Sequence, residues 1–289
     1  MKHLRLVALV LSLLLPSWVG AKTYNLAVTD VEGMEKLQLE WSGFKEALER
    51  ASGYEFKFFP VSNRTAAVEA LRAKRLDFVV SGPAEYVVIN KMTEATPLIG
   101  LGRPDYFCAV VVMAESPYLR VTELKGKKVA FKDVGSTSGH LCPMQLMQDL
   151  GLDPVKDITR IHTSRNVMHE ALKRGDVQAI GVNHNSWVDK ARNKDTRLEP
   201  GAFRIIARSG DLPNDMLIVA AHVDPSVAKQ VRKGILDHSK EVIQGILAHE
   251  ENLKYEGMKL RSIQDKDYNL VRAMYTTAGF PQYDRFIGE

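Results

Sequence analysis

The stretch KDVGSTSGHLCP, residues 132–143, gathers the side chains best suited to chemistry. Ser136, Thr137 and Ser138 place three hydroxyls in a row between Gly135 and Gly139, and His140 and Cys142 follow at once. Apolar KVAF precedes the stretch and amphipathic MQLMQDL follows it, the pattern of a strand-to-helix loop. Glycines there let backbone approach a bound group closely. The first N–H groups of the following helix have no intrahelical acceptors, so with the hydroxyls they suit a tetrahedral oxyanion. The same residues also make an ordinary N-cap, and this segment alone leaves both readings open. A nucleophile turn fits less well: the middle residue of GSTSG is Thr137 rather than Ser, and no GxxxxGK[ST] loop is present. Three equivalent hydroxyls serve binding better than attack, which argues against an enzyme.

The elements that must position this loop alternate along the chain. Strand patterns at residues 24–29, 55–59 and 77–81 interleave with helical patterns at 37–51, 65–74 and 84–90. A second series begins with the β-branched run 106–113 and continues with strands at 128–131, 158–163 and 177–182, and helices at 138–150 and 167–174. Strands at 203–207 and 216–221 precede long helical patterns at 225–248 and 265–278. Such alternation predicts an α/β fold with mixed, mainly parallel sheets flanked by helices, in two lobes with a cleft between them. Ligands of open α/β sheets sit beyond the carboxyl ends of strands, where GSTSGH falls.

Lys2 and Arg5 precede an apolar run over 6–15 and the small residues Val19-Gly20-Ala21, the layout of a secretory signal. Cleavage is expected near Lys22, giving an exported, soluble mature chain. Removing residues 1–21 takes 39 basic side chains to 37 against 35 acidic ones, so a formal +4 becomes +2. That balance predicts no nucleic-acid partner. The two cysteines, Cys108 and Cys142, would meet an oxidising compartment, where a single disulfide is the simplest expectation.

The ordered set LDFVVSGPAEYVV (76–88), GSTSGHLCP (135–143), ALKRGDVQAIGV (171–182) and LPNDMLIVA (212–220) resembles the phosphate, phosphite and phosphonate periplasmic solute-binding proteins, the PhnD-like group of the type 2 periplasmic binding fold. The resemblance implies a lobe of residues 22–107 and 214–289, a lobe of residues 108–213, and crossover strands joining them. It implies a small oxyanion ligand, no cofactor, a monomer, and a membrane permease or a histidine-kinase sensor domain as partner. Position by position, it gives Ser136, Thr137 and Ser138 the oxyanion, Tyr86 the opposite wall, and Asp215 an amino group or protonated oxygen of the ligand; residue type alone instead favours core packing for Tyr86 and an ordinary turn for Asp215.

Departures from the group carry their own expectations. Arg165 stands where relatives have His, and either grips the anion or lies on the surface. The run GVNHNSW (181–187) replaces an acidic pattern, which puts an aminoalkyl phosphonate in doubt. His140 either hydrogen-bonds the oxyanion or caps a turn, while His162, His169 and His184 lack metal-ligand spacing. Cys108 and Cys142 map near the ligand, as a disulfide bracing the hinge side or as soft thiol ligands. Arsenite-sensing relatives of the AioX type are associated with a cysteine, so arsenite held by Cys108 and signalled to a membrane histidine kinase is the alternative.

Overall fold

The computed structural model describes residues 22–29, 31 and 33–287. The expected signal segment, residues 1–21, lies outside the described residues. The chain opens with β1 (Thr23–Val28), α1 (Met34–Ser52), β2 (Glu55–Phe58), α2 (Arg64–Arg72), β3 (Phe78–Ser81), α3 (Pro83–Thr93) and β4 (Thr96–Gly102). It then crosses to β5 (Cys108–Met113), β6 (Lys128–Phe131), α4 (Cys142–Asp149), β7 (Thr159–His162), α5 (Arg165–Arg174), β8 (Ala179–Asn183), α6 (His184–Trp187) and β9 (Phe203–Arg208). A second crossover returns it to β10 (Met216–Val219), α7 (Pro225–Asp237), α8 (Ser239–Ile246), β11 (Lys259–Arg261) and α9 (Asn269–Thr277).

Two sheets result, ordered β11-β4-β10-β3-β1-β2 and β7-β6-β8-β5-β9. Both are mixed, as the alternation predicts: four of the six strands of the first and four of the five of the second run in one direction. Strand β1 pairs parallel with β2 and β3, and β6 with β7 and β8. The strands that receive the crossovers run the other way: β10 is antiparallel to β3 and β4, and β5 to β8 and β9. Each starts at the cleft and runs outward, whereas β1, β3, β6 and β8 run toward it. A chain that passes twice between lobes must have such strands.

Period-2 alternation sorts β5 between two cores. Cys108, Val110 and Val112 join the cluster that continues into the first lobe, while Ala109 and Val111 pack with Ile180, Val182 and Trp187 on the other face. Strand β4 was not legible because TPLIGLG carries one Pro and two Gly. Pro97 is tolerated at a register shift against β10, between Leu217 and Ile218. The expected helix over 225–248 breaks at His238, where ψ of 31° ends α7 and α8 begins.

Candidate functional site

The hydroxyl loop starts where β6 ends. Gly135 adopts φ +86°, the left-handed region that a glycine enters without strain. Its N–H donates to His140 Nδ1 at 3.0 Å, and Ser136 Oγ accepts from Gly139 N–H at 3.3 Å. Cap and cradle thus divide the hydroxyls between them. Ser136 closes a π-helical turn over Thr137–Leu141 that leads into α4, leaving Thr137 and Ser138 to face the first lobe and the crossovers. Thr137 Oγ1 accepts the Ala84 N–H of α3 at 3.1 Å, a direct hydrogen bond between the lobes. Ser138 Oγ accepts from Asn183 Nδ2 at 3.0 Å and shares a hydrogen bond with the Tyr106 phenol.

His140 does not point into this cradle. Its Nδ1 is spent on Gly135, and Nε2 is buried with no hydrogen-bond partner. Burial, and then the charges of His162 and Arg160, push it down to about 3. The unfolded chain, with an ordinary value near 6.5, therefore takes up the proton first. Stability is then full above that value and falls as pH drops below it, by up to about 1.4 kcal/mol per unit from this one group. Urea unfolding of wild type should weaken more between pH 7.5 and 5.0 than that of His140→Asn, and an equal loss in both would remove His140 as the cause.

The opposite wall is the start of α3, where Pro83 occupies the first turn and Glu85 pairs with Arg64 at 2.9 Å. Tyr86, expected on this wall, is not there. It lies about 200° further round the helix than Ala84, so it turns into the first lobe. There its hydroxyl donates to Asp265 at 2.6 Å and its ring meets Tyr268 edge-on at 4.8 Å. The aromatic beside the cradle is instead Tyr106, on the first crossover.

The crossovers meet in a buried polar knot that residue type alone did not disclose. Arg103 donates from its backbone N and from Nε to Asn214 Oδ1 at 2.9 and 3.2 Å, and from Nη2 to Asp215 Oδ1 at 3.1 Å. Tyr255 hydroxyl donates to Asp215 Oδ2 at 2.5 Å. The Arg103 guanidinium lies 3.8 Å from the Tyr106 ring centroid, a stacked cation–π contact. Burial is the largest single influence and disfavours its charge, but Asp215, Tyr106 and Tyr255 together outweigh burial and hold Arg103 above the ordinary arginine value. Burial also raises the Tyr106 phenol, against the opposing Arg103 charge. Beyond Asp215 a cavity of about 190 Å³ extends into the first lobe, past Thr29, Ser81, Trp41 and Asn252.

Cys108 and Cys142 are joined in a disulfide, with Cα atoms 6.1 Å apart. The bond ties the first residue of β5 to the first residue of α4, the helix that grows out of the hydroxyl loop. Neither sulfur is then a thiolate, and arsenite held by a Cys108 thiol is set aside on that ground. Arg165 opens α5, half-buried, with the charge of Asp133 nearby. His169 accepts from Trp187 Nε1 and faces Asp195, whose carboxylate Lys173 and Arg197 already hold. That cluster is a closed charge network rather than a metal site. His184 stacks on Phe107.

Two lobes, a donor-lined loop and paired crossovers describe a binder, and the comparisons with known proteins agree. A family model described as the periplasmic substrate-binding protein of phosphonate ABC transporters matches residues 26–268. The chain belongs to that family. Members are substrate-binding components of transporters, not enzymes. Among curated family relatives, the phosphate-import protein PhnD of Mycolicibacterium smegmatis is 25% identical over 226 residues, covering 73% of this chain and 70% of its own length. The phosphonates-binding periplasmic protein of Escherichia coli is 20% identical over 230 residues, covering 76% and 67%. Among solved structures, PhnD1 from Prochlorococcus marinus in complex with methylphosphonate superposes with a TM-score of 0.65 at 18% identity, covering 90% of this chain and 99% of that one. The aliphatic sulphonate binding protein SsuA from Escherichia coli gives 0.57 at 12% identity, covering 91% of each chain. These two show the type 2 periplasmic binding fold. No helix among the described residues is long and apolar enough to cross a membrane.

Proposed function

We propose that the mature chain, cut near Lys22, captures a small oxyanion of the phosphate, phosphite or phosphonate kind between its lobes and presents it to a membrane permease. The observation that carries this reading is the hydrogen bond from Ala84 N–H to Thr137 Oγ1. It brings the hydroxyl loop of one lobe against a helix start of the other, so polar groups of both lobes meet at one point. A ligand held from both sides stabilises the closed form because the open form offers it only one wall. The buried acids at this point are each paired with an arginine, Asp215 with Arg103 and Glu85 with Arg64. Selectivity for the anion then rests on oriented neutral donors rather than on excess charge. The permease is favoured over a histidine-kinase sensor domain because the curated relatives are import and binding components by name.

Calorimetry with phosphate, phosphite and methylphosphonate tests the proposal. Thr137→Val removes the hydroxyl at nearly constant volume and should weaken the best of the three by about 1–3 kcal/mol, the range for one charge-assisted hydrogen bond. Heat from none of the three in the unaltered protein would end the oxyanion reading.

A further inference from the structure

A second feature of the knot bears on which oxyanions are accepted. An aminoalkyl phosphonate carries an ammonium a few bonds from its phosphonyl oxygens, and a site that prefers it needs a carboxylate without another cation. Asp215, 6% exposed, lines the cavity that reaches Ser81 and Gly82 just before α3. Both of its oxygens are taken: Oδ1 by Arg103 Nη2 at 3.1 Å and Oδ2 by the Tyr255 hydroxyl at 2.5 Å. Arg103 is itself fixed, by its two hydrogen bonds to Asn214 and by the Tyr106 face, and its side chain is 11% exposed. Tyr106 in turn hydrogen-bonds Ser138, so one aromatic ring separates the guanidinium from the cradle. The other buried acid at the cleft, Glu85, is paired with Arg64. Glu40 and Glu251 line the cavity beyond Asp215 together with Lys254.

We propose that Arg103 is a specificity-determining residue: by occupying Asp215 beside the cradle, it selects oxyanions with an uncharged substituent or none and rejects zwitterionic aminoalkyl phosphonates. This rests on the oxyanion reading above and narrows its ligand class. Selectivity is a difference of affinities, and here one residue acts on both terms. Its guanidinium repels an ammonium, and its hydrogen bond to Asp215 removes the acceptor that would have held one.

The test is calorimetry at neutral pH of the mature protein with methylphosphonate and 2-aminoethylphosphonate. Wild type should bind methylphosphonate tighter by about tenfold or more. Arg103→Met and the milder Arg103→Gln, which release Asp215, should each shift that ratio toward 2-aminoethylphosphonate by about tenfold. Arg103→Lys, which keeps a cation beside Asp215, should keep the wild-type order. Equal or tighter binding of 2-aminoethylphosphonate by wild type overturns the inference and leaves the oxyanion reading intact, and this arm needs no folded variant. An unchanged ratio in Arg103→Gln also overturns it. Binding of neither phosphonate nor of inorganic phosphate overturns the oxyanion reading itself, and the inference falls with it.

Discussion

Asp215→Ala is expected to destabilise the protein by about 3–5 kcal/mol, the usual consequence of removing one partner from a buried ion pair. The substitution leaves the Arg103 guanidinium, 11% exposed, facing the pocket that its counter-charge had filled. It also strips the Tyr255 hydroxyl of its acceptor at 2.5 Å. Arg103 cannot easily escape to water, because Asn214 and the Tyr106 ring hold it in place. Removing both charges should therefore cost less than removing one, and the double variant Asp215→Ala/Arg103→Met should recover part of the loss. Urea unfolding of wild type, both single variants and the double variant gives the coupling directly. Additive losses would show that Asp215 and Arg103 do not act as a pair.

The second large effect is expected from the disulfide. Replacing both cysteines by alanine, or reducing the protein with dithiothreitol, should cost about 4 kcal/mol by the chain-entropy relation for a closed loop of this size. The two cysteines are 34 residues apart in sequence. Both sulfurs belong to buried residues, so a small packing loss adds to the entropic term. The consequence extends to binding, because Cys108 pairs in register with Asn183, and Asn183 Nδ2 holds Ser138. Unfolding midpoints with and without reductant check the stability, and calorimetry on the reduced protein checks the cradle. A midpoint insensitive to reduction would show that the bond adds nothing to the fold.

Much of the scaffold was legible because strand and helix periods are local. KVAF, the helix starting after GSTSGH, and the β-branched run of β5 each declare themselves within a few residues. The reversed direction of β5 and β10 did not, since it depends on where a crossover delivers the next strand, and β10 reads the same in either direction. The hydroxyl loop was legible by composition, though its division of labour was not. Whether Ser136 caps while Thr137 and Ser138 face outward is decided by the turn geometry, which hydroxyl content does not specify. Arg103 and Tyr106 were missed for a different reason. GRPD looks like a surface turn leading into the next strand, and the return of residues 214–215 from more than a hundred positions away buries the Arg103 side chain. Tyr86 was misplaced because the family resemblance, carried over position by position, gave it the cleft wall, while helical rotation sends residue 86 to the far side.

The strand orders also constrain how the molecule can be assembled as it is synthesised. All five strands of the second sheet, and both cysteines, lie within residues 108–208. That sheet is complete as soon as this one continuous segment has emerged. The first sheet is not, since β10 fills the place between β3 and β4. Until residues 216–219 arrive, β3 and β4 have an unfilled gap between them, and the donors and acceptors that will pair there stay exposed. The lobe that emerges first is thus the one that must wait, and the two crossovers set the order in which its strands can be paired.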